Sequence, residues 1–219
     1  MSAIACGGIC ALDFADPDHP TAEPIAFDFA AHGHAVVLVD TRCDHSEFTA
    51  EYARIVDDMC AVAGFFGARR LGEVPEREFF ARIREVSRKL GDAATLRGFH
   101  YYNELHLVQL REEALRGGDI DAFLEATRRS AASSAQYLQN VSVAGASRQP
   151  AMFALALAER LLDGRGACRI HGGGFGGTIQ AYVPLDGLDA FVAGIEATLG
   201  RGVCNVVSIE SRGAYAERA

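Results

Sequence analysis

The apolar positions at the two ends of the chain follow strand patterns. Residues His34 to Thr41 form an almost continuous apolar and β-branched run, which predicts a central strand of a sheet. The segment Thr178 to Val183 alternates apolar and other residues, as a strand with one buried face does. Two further segments, Gly166 to His171 and Val203 to Ile209, predict the remaining strands of the same sheet.

The first thirty residues have a weaker pattern. Ala3 to Phe14 is rich in small and apolar residues and predicts one or two buried strands. The proline-containing segment Asp16 to Glu23 predicts a turn. Beyond it, Ile25, Phe27 and Phe29 alternate with small or acidic residues and predict a short, half-buried strand.

The middle of the chain has helical periodicity. Pro75 suits the first turn of a helix, and glycines such as Gly67 and Gly91 mark helix ends. Asp92 and Asp119 are suitable N-caps. The predicted helices are Ser46 to Phe66, Pro75 to Gly91, Asp92 to Arg116, Asp119 to Gln139, Pro150 to Leu162 and Asp186 to Leu199.

These elements together predict an α+β fold. The four main strands can form a ferredoxin-like four-stranded antiparallel sheet with helices on one face. Most of the helices fall between the first and second of these strands. We therefore predict a helical insertion at about residues 46–140.

Composition excludes several classes of protein. The chain has 219 residues, of which 49% are apolar and 23% charged, so it can bury a core and is not a disordered chain. Its longest apolar runs are too short to span a bilayer, and its first residues lack the basic start of a signal peptide. We expect a cytoplasmic protein with no membrane partner. The net charge of −8 argues against binding to nucleic acid.

The cysteines and histidines do not form a metal-binding pattern. The six cysteines contain no C-x-x-C pair, and none of the seven histidines lies at ligand spacing from a pair of cysteines. We therefore predict no metal site in this chain.

A glycine-rich loop between two predicted strands is the strongest chemical signal. Five of the six residues from Gly172 to Gly177 are glycine. Successive N–H groups without side chains can form an anion-binding concavity. A tight hairpin connection that needs glycine only for its geometry accounts for the loop equally well. The loop is not a G-x-x-x-x-G-K-[ST] phosphate loop, since it has no lysine and precedes a strand.

The segment from Ala167 to Gly177 resembles the third motif of the GHMP kinases in its galactokinase form, with Phe175 between glycines as the distinguishing feature. Other segments resemble that family in the same chain order: Cys6 to Phe14, Val39-Asp40-Thr41, Glu51-Tyr52, and the helix with Arg97, His100 and Glu104. The resemblance covers essentially the whole chain.

The resemblance implies phosphorylation of a sugar hydroxyl by ATP with Mg²⁺. Tyr52 matches a family tyrosine that reaches toward the sugar; an ordinary core tyrosine is the alternative. Residues Gly172, Gly173, Gly174, Phe175, Gly176 and Gly177 match the loop that closes over the site and supports the nucleotide loop. His45, His100 and Glu104 could resemble a catalytic set, but they have no nucleophile beside them, and we expect them to be structural polar residues.

The resemblance also implies that a part of the kinase is missing. The family's catalytic aspartate would fall immediately before Met1, so no catalytic residue is assigned here. Residues 1–33 would be a remnant of the N-terminal domain and the crossover, and residues 34–219 the GHMP kinase C-terminal domain. We expect the chain alone to be inactive, with a missing N-terminal kinase domain as its partner. An apolar face exposed by that absence could support a homodimer.

Two departures from the family pattern concern the substrate. His171 replaces a common threonine, and the segment from Ser130 to Val141 lacks the usual Asn/Ser-x-x-His element. Galactose or a similar sugar is the expected substrate. A non-catalytic sugar- or nucleotide-binding regulatory protein is the main alternative, and a kinase for another small hydroxyl compound is a third.

Overall fold

A computed structural model describes residues 6–16, 18–43, 48–211 and 213. Its strands are β1 (Ile9–Asp13), β2 (Thr21–Ile25), β3 (His34–Asp40), β4 (Ala167–His171), β5 (Thr178–Pro184) and β6 (Cys204–Val207). Its α-helices are α1 (Thr49–Phe65), α2 (Glu76–Ala81), α3 (Ile83–Leu90), α4 (Asp92–Gly117), α5 (Ile120–Ser133), α6 (Pro150–Leu162) and α7 (Leu188–Leu199).

The main sheet has four antiparallel strands in the order β4-β5-β3-β6. The strand β3 is central, as its β-branched run predicts, and Val37 pairs with Ala181 of β5 and Val206 of β6. The last helix before β4 is α6, and α7 connects β5 to β6. This β-α-β-β-α-β path confirms the predicted ferredoxin-like α+β fold.

One face of the sheet packs against α6 and α7. Val37 and Val39 of β3 both point to this face, because alternate residues of a strand lie on the same side of the sheet. Both are fully buried there. Ile179 of β5 and Ile195 of α7 belong to the same cluster and are also fully buried. This layer is the one that the alternating pattern of β5 predicts, and α7 packs against it through an apolar stripe formed by Leu188, Phe191, Ile195 and Leu199.

The opposite face of the sheet is also partly covered by helices. Val36 and Tyr182 point to this face and join Phe123 and Leu124 of α5 in a second buried cluster. The tips of α4 and α5 therefore lie over the sheet, in addition to the predicted helical layer. The physical reason is that β3 is apolar on both faces, and both faces must be buried.

The helices from α1 to α4 build a third cluster of their own. Phe79 of α2 is fully buried at its centre, with Val62 of α1 and Val86 of α3. Gly98 of α4 lies against the Phe79 ring, and a Cβ atom at Gly98 would come within 2.7 Å of that ring. The insertion is therefore stabilised by its own apolar core.

The predicted strand through Ile25, Phe27 and Phe29 is wrong in its position. Strand β2 pairs with β1 as a separate two-stranded sheet and ends at Ile25, opposite Ile9. The chain then turns, with the Asp28 carboxylate accepting a hydrogen bond from the Ala30 N–H at 2.8 Å. The turn places the Phe29 ring in the second cluster. Burial of an aromatic ring here outweighs continuation of an exposed strand.

Most helix ends follow their sequence signals. The Asp119 carboxylate accepts a hydrogen bond from the Ala122 N–H at 2.9 Å and caps α5, and Gly118 ends α4 in a left-handed conformation. Asp92 does not act as a cap, because Gly91 is the N-cap and the Asp92 side chain accepts from the Ser87 hydroxyl. The predicted N-cap Ser46 lies outside the described residues. None of the described helices combines the length and apolar content needed to cross a bilayer.

The sheet predicts a sharp contrast between two valines. Val37 is 0% exposed and Val206 on the edge strand is 55% exposed. We expect Val37→Ala to lower the free energy of unfolding by about 2 kcal/mol, because two buried methyl groups are lost and a cavity remains. The matched variant Val206→Ala should change it by less than about 0.5 kcal/mol. Urea unfolding of both variants measures this, and equal losses would contradict the placement of β3 at the centre.

Candidate functional site

The glycine-rich loop connects β4 to β5 at the end of the sheet where β3 finishes. The paired residues His171 and Thr178 precede and follow it. Where the loop joins β5, the Gly177 carbonyl accepts hydrogen bonds from both the N–H and the hydroxyl of Thr41, each at 2.8 Å. The Gly177 N–H donates to the Cys43 carbonyl at 3.0 Å. The loop is thus tied to the segment that follows the central strand.

The first side of the loop is closed by α1. The Tyr52 hydroxyl donates a hydrogen bond to the Gly174 carbonyl at 2.5 Å. Burial raises the pKa of Tyr52 above its usual value, so the phenol remains protonated and able to donate at neutral pH. The Tyr52 ring lies edge-on to the Phe175 ring at 5.3 Å, and Phe48 stacks against Phe175 at 6.0 Å. Phe175 is consequently only 3% exposed.

The second side of the loop is closed by Asn140. The backbone carbonyl of Asn140 accepts a hydrogen bond from the Phe175 N–H. The side-chain amide of Asn140 donates to the Gly173 carbonyl at 3.0 Å. Gly174 has a φ of +104°, and a Cβ there would lie 2.7 Å from the Asn140 amide nitrogen. A Cβ at Gly173 would lie 2.7 Å from the Tyr52 ring. Glycine is needed at both positions, because a Cβ atom at Gly174 would collide with the backbone carbonyl and the side chain of Asn140, and one at Gly173 with the Tyr52 ring.

The structure brings the predicted loop residues and Tyr52 into one site. Gly172 and Gly173 are exposed at the tip, while Gly174, Phe175 and Gly176 are buried beneath it. The N–H groups of Phe175, Gly176 and Gly177 donate within the chain. These three donors therefore shape the loop, as the hairpin alternative describes. An anion approaching the loop would meet its exposed tip.

Sequence reasoning missed Asn140, Thr41 and Phe48 as parts of this site. Thr41 is the last residue of a predicted strand, and Phe48 lies near the start of the next predicted helix. The topology therefore indicates that both lie near the end of the sheet that carries the loop. Asn140 follows a π-helical turn (Ser134–Leu138) and lies 33 residues before Gly173 along the chain. No local pattern marks it as a partner of the loop.

A polar cluster connects the helical insertion to β4 just before the loop. Glu104 of α4 accepts hydrogen bonds from the Ser130 hydroxyl at 2.8 Å and from Arg111 at 2.6 Å. Arg169 of β4, two residues before His171, lies 3.7 Å from the same carboxylate. This carboxylate therefore joins α4, α5 and β4. Its partners are in keeping with the structural role expected for Glu104.

His100 lies beside this cluster on α4, whereas His45 lies outside the described residues. His100 is 7% exposed, and its Nδ1 lies 3.0 Å from the Ser133 hydroxyl oxygen. Burial is the main cause that lowers the pKa of His100 below 6.5, with Arg169 adding to the effect and Glu104 opposing it. The neutral imidazole is therefore the form that the folded chain favours.

The described residues do not build a metal site. Within the ranges given above, no group of three or more His, Cys, Asp or Glu side chains lies close enough to hold a metal ion.

Comparison of sequences relates the chain to galactokinases. No protein-family model matches it. The galactokinase of Mannheimia succiniciproducens is 30% identical over 156 residues, which cover 71% of this chain and 38% of that enzyme. The galactokinase of Streptomyces coelicolor is 28% identical over 205 residues, covering 90% and 48% respectively. The chain thus spans less than half the length of these curated relatives, and the matches confirm the predicted resemblance.

Comparison of structures agrees with this relation at the level of the fold. Lactococcus lactis galactokinase, in a crystal structure with galactose, matches with a TM-score of 0.68 at 20% identity, covering 89% of this chain and 49% of that one. L. major mevalonate kinase, in complex with R-mevalonate, matches with a TM-score of 0.53 at 20% identity, covering 89% and 47%. Both matches confirm the predicted fold class.

The Tyr52 contact predicts a local effect on the loop. We expect Tyr52→Phe to lower the free energy of unfolding by about 1–2 kcal/mol, because the Gly174 carbonyl loses its donor. Hydrogen exchange of the loop amides should become faster. Tyr102→Phe is the matched control, since its hydroxyl donates to the Val74 carbonyl at 2.9 Å far from the loop. An equal rise in loop exchange in both variants would contradict the local role of Tyr52.

The buried imidazole of His100 predicts how stability depends on pH. Because its pKa is lower in the folded chain than in the unfolded chain, the unfolded chain binds the proton first as pH falls. Stability should therefore decrease as pH falls through about 6.5. We expect His100→Asn to flatten this dependence by about 1 kcal/mol between pH 7.5 and pH 5.5, measured by urea unfolding. An unchanged slope would contradict the assignment.

Proposed function

Because the chain is a galactokinase-like member of the GHMP kinase superfamily, we propose that it forms part of a sugar kinase. The reaction is transfer of the γ-phosphate of ATP to a hydroxyl of galactose or a similar sugar. The observation that carries the proposal is the clamped glycine loop, with the Tyr52 hydroxyl on Gly174 and Asn140 on Gly173. Phosphoryl transfer depends mainly on positioning, and a loop held from two sides is a fixed surface.

In this proposal the loop acts as one wall of the cleft. Its exposed tip at Gly172 and Gly173 has no side chains, so a nucleotide or a nucleotide-binding loop can approach the backbone closely. Its buried base, at Gly174 to Gly176, fixes the height and direction of the tip. The loop therefore supports the phosphate-binding element, and we assign no direct phosphate contact to the three amides that donate within the chain.

Tyr52 is proposed to contact the sugar through its hydroxyl oxygen. A phenol that donates one hydrogen bond can also accept hydrogen bonds from other groups. A sugar hydroxyl could therefore donate to Tyr52 while Tyr52 donates to Gly174. This arrangement would link occupancy of the sugar site to the shape of the glycine loop.

The division of the molecule is also a proposal. Residues 34–219 would be the C-terminal domain, with the insertion at about 46–140, and residues 1–33 the end of a preceding domain. The four-stranded sheet begins at His34, while β1 and β2 pair only with each other among the described residues. The remaining groups of the kinase site, including its catalytic base, would come from residues outside these 219.

In the proposed reaction, Mg²⁺ is bound together with ATP. The described residues offer no cluster of ligands for it. Mg²⁺ is commonly held by substrate phosphates and one or two carboxylates, and it neutralises phosphate charge during transfer. We assign no residue of this chain to that ion.

The test is a coupled assay of ADP production with galactose, glucose and mevalonate as acceptors. We expect the purified chain alone to be at least about a thousandfold slower than the same chain joined to the part of a related galactokinase that this chain does not cover, because half a site cannot position both reactants. Galactose-dependent turnover of the joined protein supports the proposal. Turnover by the chain alone would overturn the division of the site.

Calorimetric titration of the chain with galactose and with Mg·ATP distinguishes a kinase from the alternative function, a non-catalytic sugar- or nucleotide-binding protein. Tight binding of either ligand, without turnover in any combination, would favour a regulatory binding protein. Turnover with mevalonate in preference to sugars would favour another kinase of the superfamily.

A further inference from the structure

We propose that Asn140 is a positioning residue for the glycine loop, holding it in the shape that phosphoryl transfer requires. The inference rests on the proposed function for its catalytic meaning. The structural part rests on hydrogen bonds, since Asn140 binds the loop through both its backbone carbonyl and its side-chain amide.

Asn140 is itself held in a defined position. It is 3% exposed. The preceding Gln139 has a left-handed φ of 61°, and its N–H donates to the Ser134 carbonyl at 2.8 Å, which closes the π-helical turn. This turn ends the helical segment and directs Asn140 at the loop. The insertion therefore sets the position of Asn140. The hydrogen bonds of Asn140 in turn fix Gly173 and Phe175.

The side chain of Asn140 has one productive orientation. Its amide nitrogen lies 3.0 Å from the Gly173 carbonyl oxygen. Its Oδ1 is buried and has no hydrogen-bond partner in the part of the chain that the structure describes. Rotating the amide by 180° would place two carbonyl oxygens against each other. The donor on Asn140 is therefore the feature that the loop needs, and the size of the residue is secondary.

This requirement for a donor distinguishes positioning from space filling. In Asn140→Asp, the ionised carboxylate would face the Gly173 carbonyl with no proton to donate. When the carboxylate is protonated, its O–H can donate to Gly173 in place of the amide. Burial raises the pKa of a carboxyl above about 4, so the switch should fall at an accessible pH. The variant should therefore recover the loop contact as pH falls.

Hydrogen exchange of the loop amides from Gly172 to Gly177 measures this recovery in the chain as it stands. At pH 8 we expect exchange in Asn140→Asp to be about tenfold faster than in the unsubstituted chain at the same pH. The ratio should fall below about two as pH decreases to 5. Asn140→Ala should have a raised ratio without a pH step, because alanine has no proton to restore.

Asn205→Asp is the matched control, because Asn205 is exposed on β6 and receives the same chemical change. Its ratio should stay near one at every pH. A ratio near one at pH 8 for Asn140→Asp would overturn the proposal. So would a pH step that appears equally at the buried Phe79 and Ile195, since that would be general unfolding. If Asn140→Ala does not fold, the pH step within Asn140→Asp still decides.

A second measurement concerns catalysis by the joined protein described above. We expect kcat of Asn140→Asp, relative to the unsubstituted enzyme, to recover with falling pH in parallel with loop exchange, while KM for the sugar changes less than kcat. A kcat ratio that does not depend on pH would overturn the catalytic part. If the unsubstituted joined protein has no activity, the proposed function fails, and the exchange experiment alone decides whether Asn140 positions the loop.

Discussion

The burial of the Phe175 ring is the contact on which the shape of the glycine loop depends. Its backbone has a φ of 58°, a left-handed conformation that costs a non-glycine residue about 1–2 kcal/mol. Burial of a phenylalanine side chain contributes about 2–3 kcal/mol, which is enough to offset that cost. The ring lies against Tyr52 and Phe48, and the Phe175 N–H donates to the Asn140 carbonyl. The neighbouring glycines then adopt the turns that this fixed residue requires.

Three distant parts of the chain meet around Phe175. The segment after β3 contributes Thr41, the start of the insertion contributes Tyr52, and the residue after its last helical turn is Asn140. The two ends of the helical insertion thus lie on opposite sides of the same loop. A change in the packing of the insertion would therefore reach the loop from both sides, through short hydrogen bonds and without a large displacement of the sheet.

The polar cluster around Glu104 strengthens this connection. Glu104 binds Arg111 and Ser130 within the insertion and lies near Arg169 of β4. Because β4 leads directly into the glycine loop, the cluster ties this strand to α4 and to α5, the α-helix that precedes Asn140 along the chain. A partly buried carboxylate with several donors resists movement, since losing a partner would leave a charge without compensation. The insertion and the sheet consequently support the loop as one unit.

The local features of this chain follow from short stretches of its sequence. The β-branched run of β3, the alternation of β5, the stripe of α7 and the glycines at helix ends each depend on neighbouring residues, and the structure contains them close to the predicted positions. The ordered motifs around Tyr52 and Phe175 were also readable, because each is contiguous. The turn that moves Phe29 out of a strand was not, since a cluster formed by distant helices decides it.

The contacts that hold the loop depend on how the whole chain packs. The hydrogen bond between Asn140 and Gly173 joins residues separated by 33 positions, and no periodicity or motif relates them. The covering of both sheet faces likewise depends on where the tips of α4 and α5 come to rest. Local propensity can specify an element and its ends, but side-chain contacts across the chain exist only once the elements have packed. For this protein, the sequence indicated the loop and its family, and the packed insertion determined the loop's shape.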